Sequence, residues 1–473
     1  YYTDLATVNQ HDLINIHSVC SRAKCYATEF PDAWLTEVNQ PAMALWDDHM
    51  GRVTSSTTTT SSASASSPRA LPGYKNYLVE FPGKKDEQFF VDLIDGAIYK
   101  VDEDTDVLTE SDCYKIWPLV EQADSAEVNQ FVETKSFRKL HRRSLEEDMV
   151  IVDAVWIRKW KRMPDGSRKV KSRLCARGCF DTQKDLLSTR STTATRLSQR
   201  LLVSLSVNED FDNESWDVSG AFLKGFDFRR VQELLRSKGI ISPDRRVVLI
   251  VPANVWRHLM ASDESFRVPE GSLGEYFLLC LKPVYGLNDA PLAWQLCLHE
   301  FLAAEGGIQS QLDECLWFWR TSTARLKAIL TTHVDDLASG GKKPWMDEMY
   351  AKMVAKFGKV TRQTLPFDHC GVKYARIPEG ISLTQDDFCG KLKEAEIAAS
   401  RKDDEPLNAQ DLTAFRSVLG GLLWLTATRL DLVADVSVLQ SQVTKATIAH
   451  LRQANKVVQR AKAEHGQGLG LHF

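Results

Sequence analysis

No apolar run in this chain reaches the roughly 18–20 residues that a membrane-spanning helix needs. VVLIVP at 247–252 is long enough for a buried strand and no more. No leader-like pattern of charged, apolar and small residues precedes the first structured patterns, and the first residue is Tyr1, so a segment cut from a longer protein is expected. CxxC and HxxxH pairs are absent, so His11, His17, Cys20 and Cys25 lack the spacing of a zinc site. The ten cysteines follow no pairing rhythm, which argues against a disulfide framework and for free thiols in a reducing compartment. No internal repeat is visible.

What is present is the composition of a soluble globular protein, 43% hydrophobic and 26% charged, with 473 residues for two or three domains. The net charge of −4 hides an asymmetry. Residues 1–134 carry 9 Lys and Arg against 22 Asp and Glu, a net of −13, whereas 135–177 carry 14 against 5, a net of +9. A basic block of this kind suits a polyanion partner or a solvated charged face.

Residues 54–67, TSSTTTTSSASASS before Pro68, cannot bury apolar surface and read as a disordered linker. The expected organisation is an N-terminal segment at 1–53, this linker at 54–68, an acidic spacer with short strands at 69–134, and patterned sequence from 135 onward. VDAVWIRKWKRM (152–163) and SRKVKSRLCARG (167–178) flank Asp165-Gly166 and predict a basic β-hairpin. TRLSQRLLVSLSV (195–207) predicts a helix with Leu197, Leu201, Leu202 and Leu205 on one face. Strands are expected in ESWDVSGAF and on both sides of a tight turn in LKAILTTHVDDLASGGKK (326–343). Helices are expected at 289–306, 411–427 and 445–466.

Three acids stand at the ends of apolar runs: Asp217, and the adjacent Asp335 and Asp336, 118 and 119 residues later. Carboxylates from separate strands converge readily on hard cations such as Mg²⁺, and two such ions can drive an in-line phosphoryl displacement. Adjacent carboxylates repel unless something positive lies between them. A VDD tripeptide alone is also an ordinary turn.

The order of the motifs adds to this. KSRLCARG (171–178), WDVSGAFLKG (216–225), LKPVYGLNDAPLAW (281–294), HVDD (333–336) and RSVLGGLLWLTATRLDLVADVS (416–437) follow one another. The series resembles the reverse transcriptase region of the Pol polyprotein of copia-type LTR retrotransposons, over about residues 145–473. The resemblance implies an α+β right-hand polymerase fold: fingers and an antiparallel palm sheet at 135–383, helical thumb and connection at 384–473, behind a poorly ordered acidic N-terminal segment. It also implies an RNA-directed DNA polymerase that extends a DNA or RNA primer on an RNA or DNA template with dNTPs. Asp217, Asp335 and Asp336 would be the catalytic acids and, with the Val218 carbonyl, would hold two Mg²⁺ ions, which Mn²⁺ could replace. Lys171 and Arg173 would grip the triphosphate and Phe222 would be the gate against a ribose 2′-OH. Gly286 would give the backbone close approach to the nucleotide. His333 and Gly371, the latter in the primer-grip-like FDHCGVKYARI (367–377), would meet the primer.

The sequence departs from the family at several places. His333 replaces an aromatic, Leu292 stands where a basic residue is common, and DFRRVQELLRSKGIISPDRR is inserted after Gly225. The chain ends at GLGLHF where the family continues into ribonuclease H. Ribonuclease H and integrase portions of one polyprotein are therefore expected partners, with no membrane. The expected location is a cytoplasmic virus-like particle with a nuclear phase. Two other readings stay open: a degenerate relative that binds nucleic acid without polymerising, and a two-metal nuclease.

Overall fold

A computed structural model describes residues 107–162, 167–464 and 466–472, together with the strand residues 69–70, 76–79, 89–92 and 98–100. The segment 1–53, the linker at 54–68, the His11, His17, Cys20 and Cys25 group and the Asp165-Gly166 turn lie outside the described residues.

The chain begins with strands β1 (Arg69–Ala70), β2 (Asn76–Val79), β3 (Phe89–Asp92) and β4 (Ile98–Lys100). Helices α1 (Glu110–Lys115) and α2 (Trp117–Glu133) follow, then β5 (Phe137–His141), β6 (Val150–Arg162) and β7 (Arg168–Ala176). Next come α3 (Arg196–Asn208), β8 (Asp212–Val218), α4 (Phe228–Ser237), β9 (Val247–Ile250), α5 (Ala253–Ser262), β10 (Tyr276–Cys280) and α6 (Ala290–Ala304). Strands β11 (Ile308–Gln309), β12 (Leu316–Arg320), β13 (Leu326–His333) and β14 (Asp336–Gly341) precede α7 (Lys343–Phe357) and β15 (Val360–Thr364). The remainder is β16 (Phe367–His369), β17 (Val372–Ile377), β18 (Gly380–Thr384), α8 (Asp386–Lys391), α9 (Ala409–Leu425), α10 (Val433–Ser441), α11 (Ile448–Ala463) and β19 (Leu469–His472). The fold is thus mixed α and β with several sheets. No described helix is long and apolar enough to cross a membrane, and every described cysteine is a free thiol.

Two compact units divide the chain: Tyr1–Lys184 with Arg246–Cys280 and Tyr285–Leu287, and Asp185–Arg245 with Leu281–Val284 and Asn288–Phe473. In the first unit, β1 to β4 form one antiparallel sheet and a second sheet runs β5-β10-β9-β6-β7, with β6 and β9 parallel. The basic hairpin is the β6–β7 pair, in register from Ala154 opposite Ala176 to Arg162 opposite Arg168. Period-two alternation on β7 buries Val170, Ser172, Leu174 and Ala176 and turns Lys169, Lys171 and Arg173 outward.

Residues 110–134, expected within an acidic spacer, instead form α1 and α2 and pack on this hairpin. Buried Asp124 holds Arg158 through two bonds of 2.6 and 3.1 Å, and the Leu174 N–H donates to the Glu127 carboxylate at 3.3 Å. The acids on the inner side of α2 mask its apolar stripe of Val120, Val128 and Phe131 in the sequence.

In the second unit a sheet runs β11-β12-β13-β14-β8-β15, every neighbouring pair antiparallel. Trp216, Val218, Leu330 and Leu337 face the helices α6 and α7, burying Trp294, Leu298, Phe301, Met346, Met349 and Phe357 with them. The opposite face, with Ile329 and Ala338, packs on Leu202, Val203 and Val207 of α3 and on Phe367, Tyr374 and Ile381 of a small sheet ordered β16-β17-β18-β19. Burial on both faces is why β14 reads DLASGG rather than alternating. A Cβ at Gly340 would lie 2.3 Å from the Ser206 hydroxyl, so α3 sits almost on the backbone.

The buried face of α3 is accordingly Ser198, Leu202, Val203, Ser206 and Val207. Of the expected leucine face, Leu202 is buried and Leu205 partly so, whereas Leu197 and Leu201 are exposed, because the close approach to the sheet favours small serines over leucines. The C-terminal helices α9 to α11 share a separate core around Phe415, Leu422, Leu451 and Val458. Strand β19 was not expected there; it pairs with β18 and extends the small sheet.

Candidate active site at the tip of the six-stranded sheet

The hairpin β13–β14 closes with His333 opposite Asp336, and Asp336 in turn lies opposite Asp217, which lies opposite Thr361. Directly opposed residues of antiparallel strands project to one face with Cβ atoms about 4.5–5.5 Å apart. His333, Asp336, Asp217 and Thr361 therefore form a row across four strands at the sheet tip. Asp335 belongs to the two-residue turn beyond that row. All three aspartates and His333 are half-buried.

The turn is held by its surroundings. Val334 has φ +59, the sign that the first position of such a turn requires and that glycine normally supplies. A β-branched residue there costs on the order of 1–2 kcal/mol. The Trp294 indole N–H donates to the Val334 carbonyl at 2.7 Å, and the Val218 N–H donates to the Asp335 carbonyl at 3.1 Å. One bond comes from α6 and one from the end of β8, so both catalytic candidate segments are tied together through backbone atoms.

The charges on β8 are treated differently. Glu214 is buried and paired by Arg362 through two bonds of 2.6 and 2.7 Å, and it also accepts from the Trp216 indole at 2.8 Å. Asp217, three residues on, has no cationic side chain beside it among the described residues and faces Asp336. Like charges directly opposed destabilise a sheet. A donor set made only of carboxylate and carbonyl oxygens is of the kind that suits a hard divalent cation. Among the described residues no three His, Cys, Asp or Glu side chains are gathered into a formed metal cluster.

Close to the acids lies the two-residue turn that joins β16 to β17. Cys370 and Gly371 take φ +51 and +74, as such a turn demands. Burial pushes the Cys370 thiol up to about 12, and the Asp336 and Asp335 carboxylates add to this. His369 just before it is fully buried, with neither ring nitrogen hydrogen-bonded, and burial holds it down to about 4. His333 is likewise lowered by burial, opposed by Asp335, and its Nδ1 has no partner. Phe222, on the single 3₁₀ turn Ala221–Lys224 that follows β8, is half-buried and packs against the core beneath Asp217's strand.

The first unit holds the remaining candidates. Lys171 and Arg173 share the outward face of β7, with the Arg173 guanidinium 4.9 Å from the Tyr285 ring centroid. Gly286 has φ +88, and a Cβ there would lie 2.0 Å from the Ala176 carbonyl oxygen, while the Ala176 N–H donates to Tyr285 at 2.8 Å. Its close approach is therefore to the end of the hairpin strand. Trp294, Glu214, Arg362 and Thr361 carry no expected role from the sequence, where the tryptophan of DAPLAW is the one available signal.

No family model matches the chain. Over 339 residues it is 22% identical to the Retrovirus-related Pol polyprotein from transposon RE1 of Arabidopsis thaliana, covering 68% of this chain and 21% of that one. Transposon Pol polyproteins are among its relatives. A second is the Pol polyprotein from transposon TNT 1-94 of Nicotiana tabacum, 27% identical over 194 residues, covering 40% of this chain and 12% of that one. The chain thus spans about a fifth of the RE1 polyprotein. Among solved structures, a foamy viral protease–reverse transcriptase in complex with double-stranded DNA aligns with TM-score 0.36 and 12% identity, covering 71% of this chain and 47% of that one. The family resemblance drawn from the motif order agrees with the Pol relatives.

Proposed function

We propose that the chain is the RNA-directed DNA polymerase portion of a retroelement Pol polyprotein. The observation that carries this is the register that sets Asp217 opposite Asp336, with Asp335 on the adjoining turn. The six-stranded sheet is the palm, the first unit with its basic hairpin the fingers, and α9 to α11 the thumb. Template, primer and dNTPs are its ligands, ribonuclease H and integrase portions its neighbours in the polyprotein, and a cytoplasmic particle its place.

Asp217, Asp335, Asp336 and the Val218 carbonyl would hold Mg²⁺ or Mn²⁺. When bound, the cations supply Lewis acidity to a primer hydroxyl and to the departing phosphate oxygens. The side chains do the rest. Trp294 and Val218 fix the turn so that the carboxylates meet the phosphates without rearrangement. Arg173 and Lys171 grip the triphosphate, for which a guanidinium fork is well shaped. Phe222 packs under the sugar position, and His333 and Gly371 stand at the primer side of the acids.

A second reading, nucleic-acid binding without polymerisation, is favoured by one observation: the three acids are not gathered into a formed cluster. Primed poly(rA), dTTP and Mg²⁺ or Mn²⁺ separate the two. Extension abolished by Asp335→Asn supports the polymerase, and duplex binding without extension supports the second reading. Release of nucleotides from the primer without dNTPs would indicate a nuclease instead.

A further inference from the structure

The turn that carries Phe222 is one 3₁₀ turn long, so it has almost no hydrogen bonds of its own. Its last carbonyls must find partners outside it. The Phe222 carbonyl accepts from the Gly225 N–H at 3.3 Å. The Lys224 carbonyl accepts from the Cys297 thiol on α6 at 3.6 Å. The Leu223 carbonyl accepts from the Lys282 ammonium at 3.1 Å. After the turn, the Phe226 N–H donates to the Ala293 carbonyl at 3.3 Å, and a Cβ on Gly225 would lie 2.9 Å from the Trp294 backbone nitrogen.

Of these clamps, Lys282 alone is charged. Burial lowers its pKa, with Cys297 and Asp227 opposing, and among the described residues it forms no ion pair. The Cys297 thiol is itself pushed up to about 11 by burial and stays neutral. A half-buried ammonium aimed at a single backbone carbonyl is costly for solubility or generic stability, where an apolar side chain would serve better. A charge-assisted bond to a carbonyl is stronger than a neutral one and fixes position.

We propose that Lys282 is a positioning residue for sugar selection: by holding the Leu223 carbonyl it sets the depth at which the Phe222 ring meets the nucleotide. The inference rests on the polymerase reading, and on Phe222 as the gate, and adds to them the residue that determines how tightly the gate is set. Loss of the ammonium lets the turn relax toward α6 and leaves room for a 2′-OH. The substrate class affected is the ribonucleoside triphosphate.

Two measurements test it. The first compares kcat/KM for dTTP and UTP on primed poly(rA) with the wild type, Lys282→Met, Lys282→Arg and Phe222→Ala. Lys282→Met should lower the dTTP-to-UTP ratio about tenfold, the value of one charge-assisted bond, through a lower KM for UTP. Lys282→Arg, which retains a charged donor, should restore most of the ratio, and Phe222→Ala should lower it further. If Phe222→Ala relaxes selection while Lys282→Met does not, Lys282 has no part in it and the proposal falls. If Phe222→Ala changes nothing, the gate reading falls and the proposed consequence with it. The second is hydrogen exchange at residues 222–226, which needs no activity. Faster exchange in Lys282→Met, reversed in Lys282→Arg, supports the clamp; unchanged exchange overturns it.

Discussion

The Trp294 indole N–H donates to the carbonyl of Val334 at 2.7 Å, across from α6 to the turn between His333 and Asp336. Trp294 is 1% exposed, and the residue it holds has a left-handed φ of +59. A buried donor thus secures a backbone conformation that the Val334 side chain disfavours. Trp294→Phe removes the donor and keeps most of the ring. It should cost about 1–3 kcal/mol in urea unfolding. Primer extension should fall by up to about 100-fold, since a displacement of an ångström at the reacting groups has that effect. Extension at the wild-type rate would detach the turn from the reaction.

Val334 itself gives a second test. Comparing Val334→Gly with Val334→Ala separates backbone strain from lost packing, because both delete the branched side chain and only glycine tolerates the positive φ. The glycine variant should unfold at higher urea than the alanine variant, by about 1 kcal/mol. The reverse order would mean that the turn is not strained.

Gly286 tests the close approach in the first unit. Gly286→Ala must place a Cβ into the Ala176 carbonyl while holding φ near +88. Overpacking against backbone together with the strained φ predicts a loss of about 2–4 kcal/mol. Hydrogen exchange at the Ala176 amide should accelerate with it. A variant as stable as the wild type would contradict the contact.

Glu127 sets a pH dependence. Burial raises its pKa from 4.5 to about 7, against the opposing effects of the Leu174 N–H, Arg173 and Lys171. Between those values the folded chain keeps a proton that the unfolded chain has lost, so this contribution weakens as pH rises from 4.5 to about 7 and then levels off. The change is on the order of 3 kcal/mol. Glu127→Gln should remove it: the difference in unfolding free energy between variant and wild type should grow in the variant's favour from about pH 5 to 8. A difference independent of pH would show that Glu127 is not protonated in the fold.

The parts of the molecule that obey one period were legible. The basic hairpin, the strand before Asp217, the β13–β14 hairpin and the helices α6, α9 and α11 were all expected near their observed places. What failed has identifiable causes. The face of α3 was misread because its serines, not its leucines, meet the sheet at Gly340. The helix α2 was hidden because Asp124 and Glu127 are buried under hairpin cations, and buried acids look like surface in a sequence. Of the candidate site, the acids and Phe222 could be named from motif order, but the fastenings could not. Trp294, Lys282 and Cys297 act through single bonds to backbone carbonyls and Arg362 through the carboxylates of Glu214 and Asp347, and such pairings leave no periodic trace.

The central claim is that the opposed pair Asp217 and Asp336, with Asp335 beside them, runs nucleotidyl transfer. The direct measurement is single-nucleotide extension of a primed poly(rA) template with dTTP and Mg²⁺, by the wild type and by Asp217→Asn. The account predicts extension by the wild type and, with duplex binding retained, a loss of at least about 1,000-fold in the variant. Extension undiminished by Asp217→Asn, or none by the wild type under either Mg²⁺ or Mn²⁺, would contradict it.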